Sequence, residues 1–371
     1  MDKRIKLLHI IQKMQSGGVE QRKLLLAQHL NPAEFHQKII CSEASDEFRE
    51  KFESVGCEVF EVGYLKHPLD LKVHRKVLKI VKSFRPDIIH GSIFEGNILA
   101  AVNGFIGRVP LRIIEETSCP TNRKRRANAL LKFLSSLSHH IIAISPEVGR
   151  YLKDQTKINP SKIKVINNGV RTPISLSEEQ KLSFRKDLGF EPNDIIFGSI
   201  GRMMNNIKGF DKLIDLFSEL HQHNPSYKLL IIGDGPMLAT YQKQVDELKL
   251  SKSVYFAGYQ SEVNDYYEIM DFYITLPRSE GFGLSVVEAM SHQVPVLASN
   301  IGGIRNILAS EKNGFLLENE NSDEIIPILS QLTMDTDFRK KIMDQAYKTY
   351  LKNYSQSIYT KNVREFYLMS K

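Results

Sequence analysis

Short apolar runs alternate with amphipathic stretches along the whole chain. Residues 6–11 (Lys-Leu-Leu-His-Ile-Ile) predict a buried strand. A turn at 16–20 follows, and Leu24, Leu25, Ala27 and Leu30 then recur at helical spacing. Residues 36–41 predict a second strand, 46–54 a helix, and 59–62 a third strand. A basic helix over 70–84 leads to a strand entered at 86–90, and strands over 111–114 and 140–144 continue the series. The pattern restarts after about residue 170, with strands at 194–200, 227–232, 254–256, 272–275 and 294–298. Helices over 211–221 and through 287–290 fall between them, and 344–354 and 355–369 read as two closing helices. Strands alternating with helices build parallel, doubly wound sheets. The predicted class is α/β, two Rossmann-like lobes facing across a cleft, with ligands at the carboxyl ends of the strands.

Composition narrows the picture. The 371 residues are 42% hydrophobic and 25% charged, enough for a packed core and for two or three domains. No apolar run approaches the roughly 20 residues needed to cross a bilayer. The first residues lead into a strand rather than a signal peptide. Cys41, Cys57 and Cys119 are dispersed and fit neither a zinc site nor a disulfide framework, which predicts a cytoplasmic protein without metal. Charge is unevenly placed. Residues 1–170 carry 28 Lys and Arg against 17 Asp and Glu, whereas 171–371 carry 22 against 26, within a total of +7. A basic first lobe suits an anionic partner.

Candidate chemistry concentrates in the second lobe. Glu280-Gly281-Phe282-Gly283-Leu284-Ser285-Val286-Val287-Glu288 follows a strand and runs into a helix. Gly281 and Gly283 permit close backbone approach to a ligand, and the N–H groups of the new helix can bind phosphate. Glu280 can reach a polyhydroxyl group, and Glu288 can take both hydroxyls of a ribose. The bland alternative is a surface turn with two solvated glutamates. Arg202 and Lys208 follow the first strand of the same lobe, and a guanidinium fork with an ammonium suits a diphosphate.

These motifs, in this order, resemble the retaining group-1 glycosyltransferases of GT-B fold. The likeness covers nearly the whole chain and is densest over 165–320. The family's E-x7-E element corresponds to Glu280 and Glu288, and its diphosphate pair to Arg202 and Lys208. Its junction between lobes corresponds to Asn168-Gly169-Val170, and its G-x-G-P turn near the base to Gly233-Asp234-Gly235-Pro236. Its loop over the donor phosphates corresponds to Gly17-Gly18, and Gly302-Gly303 and Asn313-Gly314-Phe315 match as well. The resemblance implies an acceptor-binding domain, 1–168 with a returning helix 355–371, and a nucleotide-sugar-binding domain, 169–354. It implies a donor such as a UDP- or GDP-sugar, bound by Gly17, Gly18, Arg202, Lys208, Gly233, Gly235, Glu280, Gly281, Phe282, Gly283, Leu284 and Glu288. Glu280, Arg202 and Lys208 would carry catalysis, with no cofactor. It further implies hexosyl transfer with retention to a hydroxyl of a glycan or lipid-linked acceptor, in the setting of bacterial surface polysaccharide.

The chain departs from the pattern at four places. Ser92 stands where a sugar-contacting His is common, so Ser92, Glu95 and Asn97 become acceptor-side or sugar-side candidates. Arg171, Gln293 and Asn306 also differ from the common residues. Arg123, Lys124, Arg125 and Arg126 precede an apolar helix, an arrangement that predicts peripheral contact with an anionic membrane, at the inner face of the cell membrane. The same cations also suit a solvated helix end. Two alternatives are a relative that binds nucleotide sugar without transfer and a basic nucleic-acid-binding protein. The second lacks an aromatic RNA-binding signature, so nucleic acid is not expected as a partner.

Overall fold

A computed structural model describes residues 3–15, 17–120 and 123–370. Met1, Asp2, Ser16 of the predicted turn, Thr121, Asn122 and Lys371 lie outside them. The chain divides into two compact units, 1–169 with 356–371, and 170–355.

The first unit is built on a seven-stranded sheet. From edge to edge its strands are Glu58–Glu61, Phe35–Cys41, Ile5–Ile10, Ile88–Ser92, Leu111–Glu116, His140–Ala143 and Ile163–Val165, each parallel to its neighbours. The central strands are closed to solvent on both faces: Leu7, Leu8, Ile10, Ile39, Ile40, Ile88, Ile89, Ile113 and Ile114 are all buried. That is why they read as continuous apolar runs rather than as alternation. The helices carry their own boundary signals. Asp70 caps the basic helix Leu71–Phe84 by accepting from the N–H groups of Lys72 and Val73, and Arg85 ends it in the left-handed conformation.

One part of this core comes from the far end of the chain. The helix Gln356–Met369 places Tyr359, Val363 and Tyr367 among Leu7, Leu25, Leu26, Phe35 and Ile113. Each fully buried large side chain of this kind contributes about 2–3 kcal/mol.

The second unit has a six-stranded parallel sheet, ordered Val254–Gly258, Tyr227–Ile232, Ile195–Ile200, Phe272–Thr275, Val296–Ser299 and Phe315–Leu317. Phe197, Phe272 and Tyr227 pack ring on ring at its centre, with Phe217 of the helix Phe210–His223 behind them. In both sheets the first strand in sequence lies between the second and the fourth. The strand order therefore reverses there, and loops leaving the carboxyl ends on either side splay apart and leave a crevice. The sequence pattern did not indicate the edge strands Ile163–Val165 and Phe315–Leu317 or the helices Glu178–Asp187, Leu238–Glu247 and Ser322–Met334.

Candidate active site

In the second unit the reversal falls between Ile195–Ile200 and Phe272–Thr275. The loops leaving these two strands carry Arg202 and Lys208 on one side and Glu280 on the other. They meet through an ion pair, Lys208 Nζ to Glu280 Oε2 at 2.7 Å. Backbone contact brings them that close. Gly209 sits at φ +69°, and a Cβ there would lie 1.8 Å from the Leu276 carbonyl oxygen, so no other residue fits without moving the loop. Arg278 fastens the same loop by a bidentate pair to Asp211 at 2.7 Å and by a bond to the Asn206 carbonyl at 2.8 Å.

The remaining glycines hold loop against loop. Gly303 N–H donates to the Glu280 carbonyl at 2.9 Å. Gly302, at φ +43°, leaves 2.2 Å between that same oxygen and the position a Cβ would take. Gly233 and Gly235 lie against the backbone of Gly201 and Met203, with Met203 N–H donating to the Asp234 carbonyl at 2.9 Å. Their shared task is to let four strand-end loops pack into one floor.

Two carboxylates stand on this floor, and their surroundings shift them in opposite directions. Burial pushes the Glu280 carboxyl up. The Lys208 ammonium and the N–H groups of Phe282 and Gly281 outweigh it, and Glu280 lies below the usual carboxylate range. Burial also pushes Glu288 up, and there it prevails over the Tyr267 hydroxyl, Arg171 and Lys208, which pull the other way. Glu280 is thus fixed as an anion, while Glu288 is held more loosely in that form. Arg202 is exposed at the rim. Gly283, at φ +108°, opens the helix Leu284–Ser291, whose N-terminus has no side-chain cap. Phe282 departs from the expected role: its ring is buried against Tyr354, and its N–H donates to Glu280 Oε1 at 3.3 Å.

In the first unit, Gly17 and Gly18 begin the helix Gly18–His29, with Gly18 exposed and Gly17 enclosed beside Glu20. Ser92 and Asn97 require a correction. Both are buried. Ser92 donates to Glu115 Oε2 at 2.7 Å, and Asn97 exchanges bonds with the Glu115 backbone at 2.8 and 2.9 Å. Their polar atoms are committed to the interior, and Ile93, at φ +65°, turns the chain immediately after Ser92. Glu95 alone of the three remains partly exposed.

Sequence reasoning missed the group to which Ser92 belongs. Glu115 Oε1 accepts from Arg22 at 2.5 Å, and its Oε2 accepts from Lys23 at 3.1 Å and His90 Nε2 at 3.1 Å. His90 Nδ1 in turn accepts from Tyr367 at 2.7 Å. All of these groups are buried. The available signal was in the helix Gly18–His29, where Arg22 and Lys23 precede Leu24-Leu25-Leu26 without a polar face to receive them.

The basic cluster is also smaller than expected. Arg123 pairs with Glu116 at 2.6 Å and lies over the rings of Phe94 and Tyr151, so it leaves the surface set. Lys124, Arg125 and Arg126 are exposed, as are Lys132 and Phe133 further along the helix Arg125–Leu137. Among the described residues no helix is long and apolar enough to cross a membrane.

Comparison with known proteins gives this arrangement its class. Residues 180–349 match the family described as glycosyl transferases group 1, and residues 16–173 match glycosyltransferase family 4. EpsD of Bacillus subtilis is 27% identical over 310 residues, covering 80% of this chain and 81% of that protein. The UDP-Gal:alpha-D-GlcNAc-diphosphoundecaprenol alpha-1,3-galactosyltransferase of Escherichia coli is 24% identical over 350 residues, covering 90% and 89%. Among solved structures, HepE of Anabaena in complex with UDP and glucose superposes with a TM-score of 0.87 at 21% identity, covering 98% of this chain and 99% of that one. The chain belongs to the group-1 glycosyltransferases and has the GT-B fold. It is a nucleotide-sugar-dependent glycosyltransferase.

Proposed function

We propose that the unit 170–355 binds a UDP- or GDP-hexose and that the unit 1–169 with 356–371 recruits the acceptor, a hydroxyl of a glycan or lipid-linked sugar in bacterial polysaccharide or glycolipid synthesis. The observation that carries this reading is the Lys208–Glu280 pair at the strand reversal, with Arg202 exposed at its rim and Glu288 beside it. In this reading Arg202 and Lys208 receive the diphosphate and stabilise the charge that develops as the sugar leaves. Cations fixed in advance contribute most when charge appears in the transition state. Glu280 holds sugar hydroxyls as an anion and keeps Lys208 in position. Glu288 accepts from the ribose hydroxyls. The open first turn of Leu284–Ser291 takes a phosphate or sugar oxygen. Transfer proceeds with retention, the acceptor hydroxyl attacking from the face that the phosphate leaves. The exposed Lys124, Arg125, Arg126 and Lys132 with Phe133 give peripheral contact with an anionic leaflet.

Two relatives support a sugar-nucleotide donor: HepE was solved with UDP and glucose, and the Escherichia coli relative is a galactosyltransferase acting on a diphosphoundecaprenol acceptor. The test is thermal stabilisation by UDP, GDP and their sugars. A ligand at 100 times its Kd adds about 2.7 kcal/mol. One nucleoside diphosphate series is expected to stabilise the wild type and to act weakly on Lys208→Ala and Glu288→Ala. Equal stabilisation of all three proteins would remove these residues from the donor site.

A further inference from the structure

Glu288 is braced from behind. Its Oε2 accepts a hydrogen bond from the Tyr267 hydroxyl at 2.9 Å, and the same hydroxyl lies 3.2 Å from the Ser285 carbonyl oxygen. Among the described residues Oε1 has no hydrogen-bond partner. Tyr267 belongs to the short helix Asn264–Glu268 and is 1% exposed. Its ring stacks on the His292 imidazole with centroids 5.1 Å apart and planes 18° from parallel. His292, just beyond the helix Leu284–Ser291, has its Nδ1 2.8 Å from Glu268 Oε1. A carboxylate can only accept, so Nδ1 carries the proton. The other oxygen of Glu268 takes Lys181 at 3.4 Å and the Leu176 N–H at 3.3 Å. A continuous line of contacts thus runs from Lys181 through Glu268, His292 and Tyr267 to Glu288.

We propose that Tyr267 is a positioning residue for the donor: it occupies one oxygen of Glu288, orients that side chain, and leaves the other oxygen for the ribose hydroxyls. His292, pinned by Glu268, fixes the plane of the Tyr267 ring. The proposal rests on the donor-site reading of Glu288 given above.

The chemistry is consistent on both sides of the bond. Burial and the neighbouring Glu288 hold the Tyr267 phenol well above its usual range, so it stays a donor at any working pH. Burial alone drives Glu288 toward its neutral form, and the Tyr267 hydroxyl is the first of the groups that oppose it. The others are Arg171, from the segment after Val170, and Lys208, from the loop after Ile195–Ile200. Tyr273, on the adjacent strand, faces the same carboxyl as a neutral phenol, and His292 lies behind Tyr267 at the end of the helix that carries Glu288. Loss of the Tyr267 hydroxyl therefore favours protonation of Glu288. A protonated Glu288 loses an acceptor at the point where a ribose hydroxyl has to donate.

The experiment is calorimetric titration of UDP, GDP and ADP, each with its 2′,3′-dideoxy analogue. The proteins are the wild type, Tyr267→Phe, Glu288→Gln and the double variant, each measured across a series of pH values. Tyr267→Phe is expected to weaken the ribonucleotide about tenfold at the acid end and less at the alkaline end, the effect of losing a hydrogen bond to a charged group. It is expected to leave the dideoxy analogue unchanged and to add nothing to Glu288→Gln. Equal weakening of the ribo and dideoxy forms at every pH, no weakening at all, or a full additive loss in the double variant would reduce Tyr267 to packing and overturn the proposal. If no nucleotide binds the wild type, or if Glu288→Gln binds as the wild type does, the donor-site reading fails first and the proposal falls with it. Tyr267→Phe keeps the ring that stacks on His292, and its thermal transition reports whether the fold is intact.

Discussion

The buried charges around Glu115 lead to a demanding prediction for Glu115→Gln. Arg22, Lys23 and Glu115 are all buried, and the single carboxylate serves both cations. Burial and Arg22 lower Lys23 while Glu115 raises it, and the result, about 8, still leaves it mostly protonated at neutral pH. Removing the carboxylate strands Arg22, which cannot give up its proton, whereas Lys23 can. Breaking a buried pair in this way costs about 3–5 kcal/mol. For a unit of this size each kcal/mol shifts the transition by about 2–4 °C, so a fall on the order of 10 °C is expected. The chain has no Trp, so the assay is far-UV circular dichroism with hydrogen exchange read separately over Ile88–Ser92 and Leu111–Glu116. The double variant Arg22→Met/Glu115→Gln removes the stranded cation and is expected to recover most of the loss. A loss below about 1 kcal/mol, or a double variant worse than the single, would refute the idea that these charges balance one another in a buried site.

Further outcomes follow from the same physics. Burial and Lys23 lower His90 from 6.5 to about 4, against the pull of Glu115. The unfolded chain therefore binds the proton first, and stability falls as pH drops from about 6.5 toward 4, by roughly 3 kcal/mol for this group. Glu115, held far below its usual range, adds a loss in the same direction, and urea midpoints of the first unit against pH test both. Gly209→Ala forces a Cβ against the Leu276 carbonyl and is expected to weaken nucleotide binding at least as strongly as Lys208→Ala, read by calorimetry. Arg278→Ala frees the loop carrying Glu280 but is half exposed, so stability changes by less than about 1 kcal/mol while nucleotide affinity falls. Burial pushes the Cys41 and Cys57 thiols up to about 12, so a thiol reagent is expected to modify only Cys119 in the native protein.

How much of this was legible depended on the kind of signal. Strands such as Tyr227–Ile232 and Phe272–Thr275 were read to the residue, because a strand buried on both faces leaves a nearly continuous apolar run, broken here only by Lys228 and closed by Thr275. Ile163–Val165 and Phe315–Leu317 were missed because three residues at a sheet edge leave almost no periodicity. The helix Ser322–Met334 was missed as well, although Asn321 caps it, since Pro327 within it reads as a break. At the candidate site the residue types pointed to Lys208 and Glu280, but the ion pair between them is a product of strand order, which joins positions 72 residues apart. Ser92 and Asn97 misled for the converse reason. A small polar residue beyond a strand looks the same in sequence whether it meets a ligand or a buried carboxylate, and only the position of Glu115 on the neighbouring strand decides which.

The helix Gln356–Met369 has a consequence during synthesis. Tyr359, Val363 and Tyr367 complete a core whose other buried members lie in the first half of the chain. At ribosomal rates of about 5–20 residues per second, the intervening unit takes roughly 10–40 s to emerge. Throughout that interval Leu7, Leu25 and Phe35 await partners that have not yet been translated, whereas residues 170–355 form an uninterrupted stretch able to fold as soon as it has emerged. The nascent first unit is thus the natural client for a chaperone. A premature stop codon before 356 would leave the second unit complete and the first with its core open.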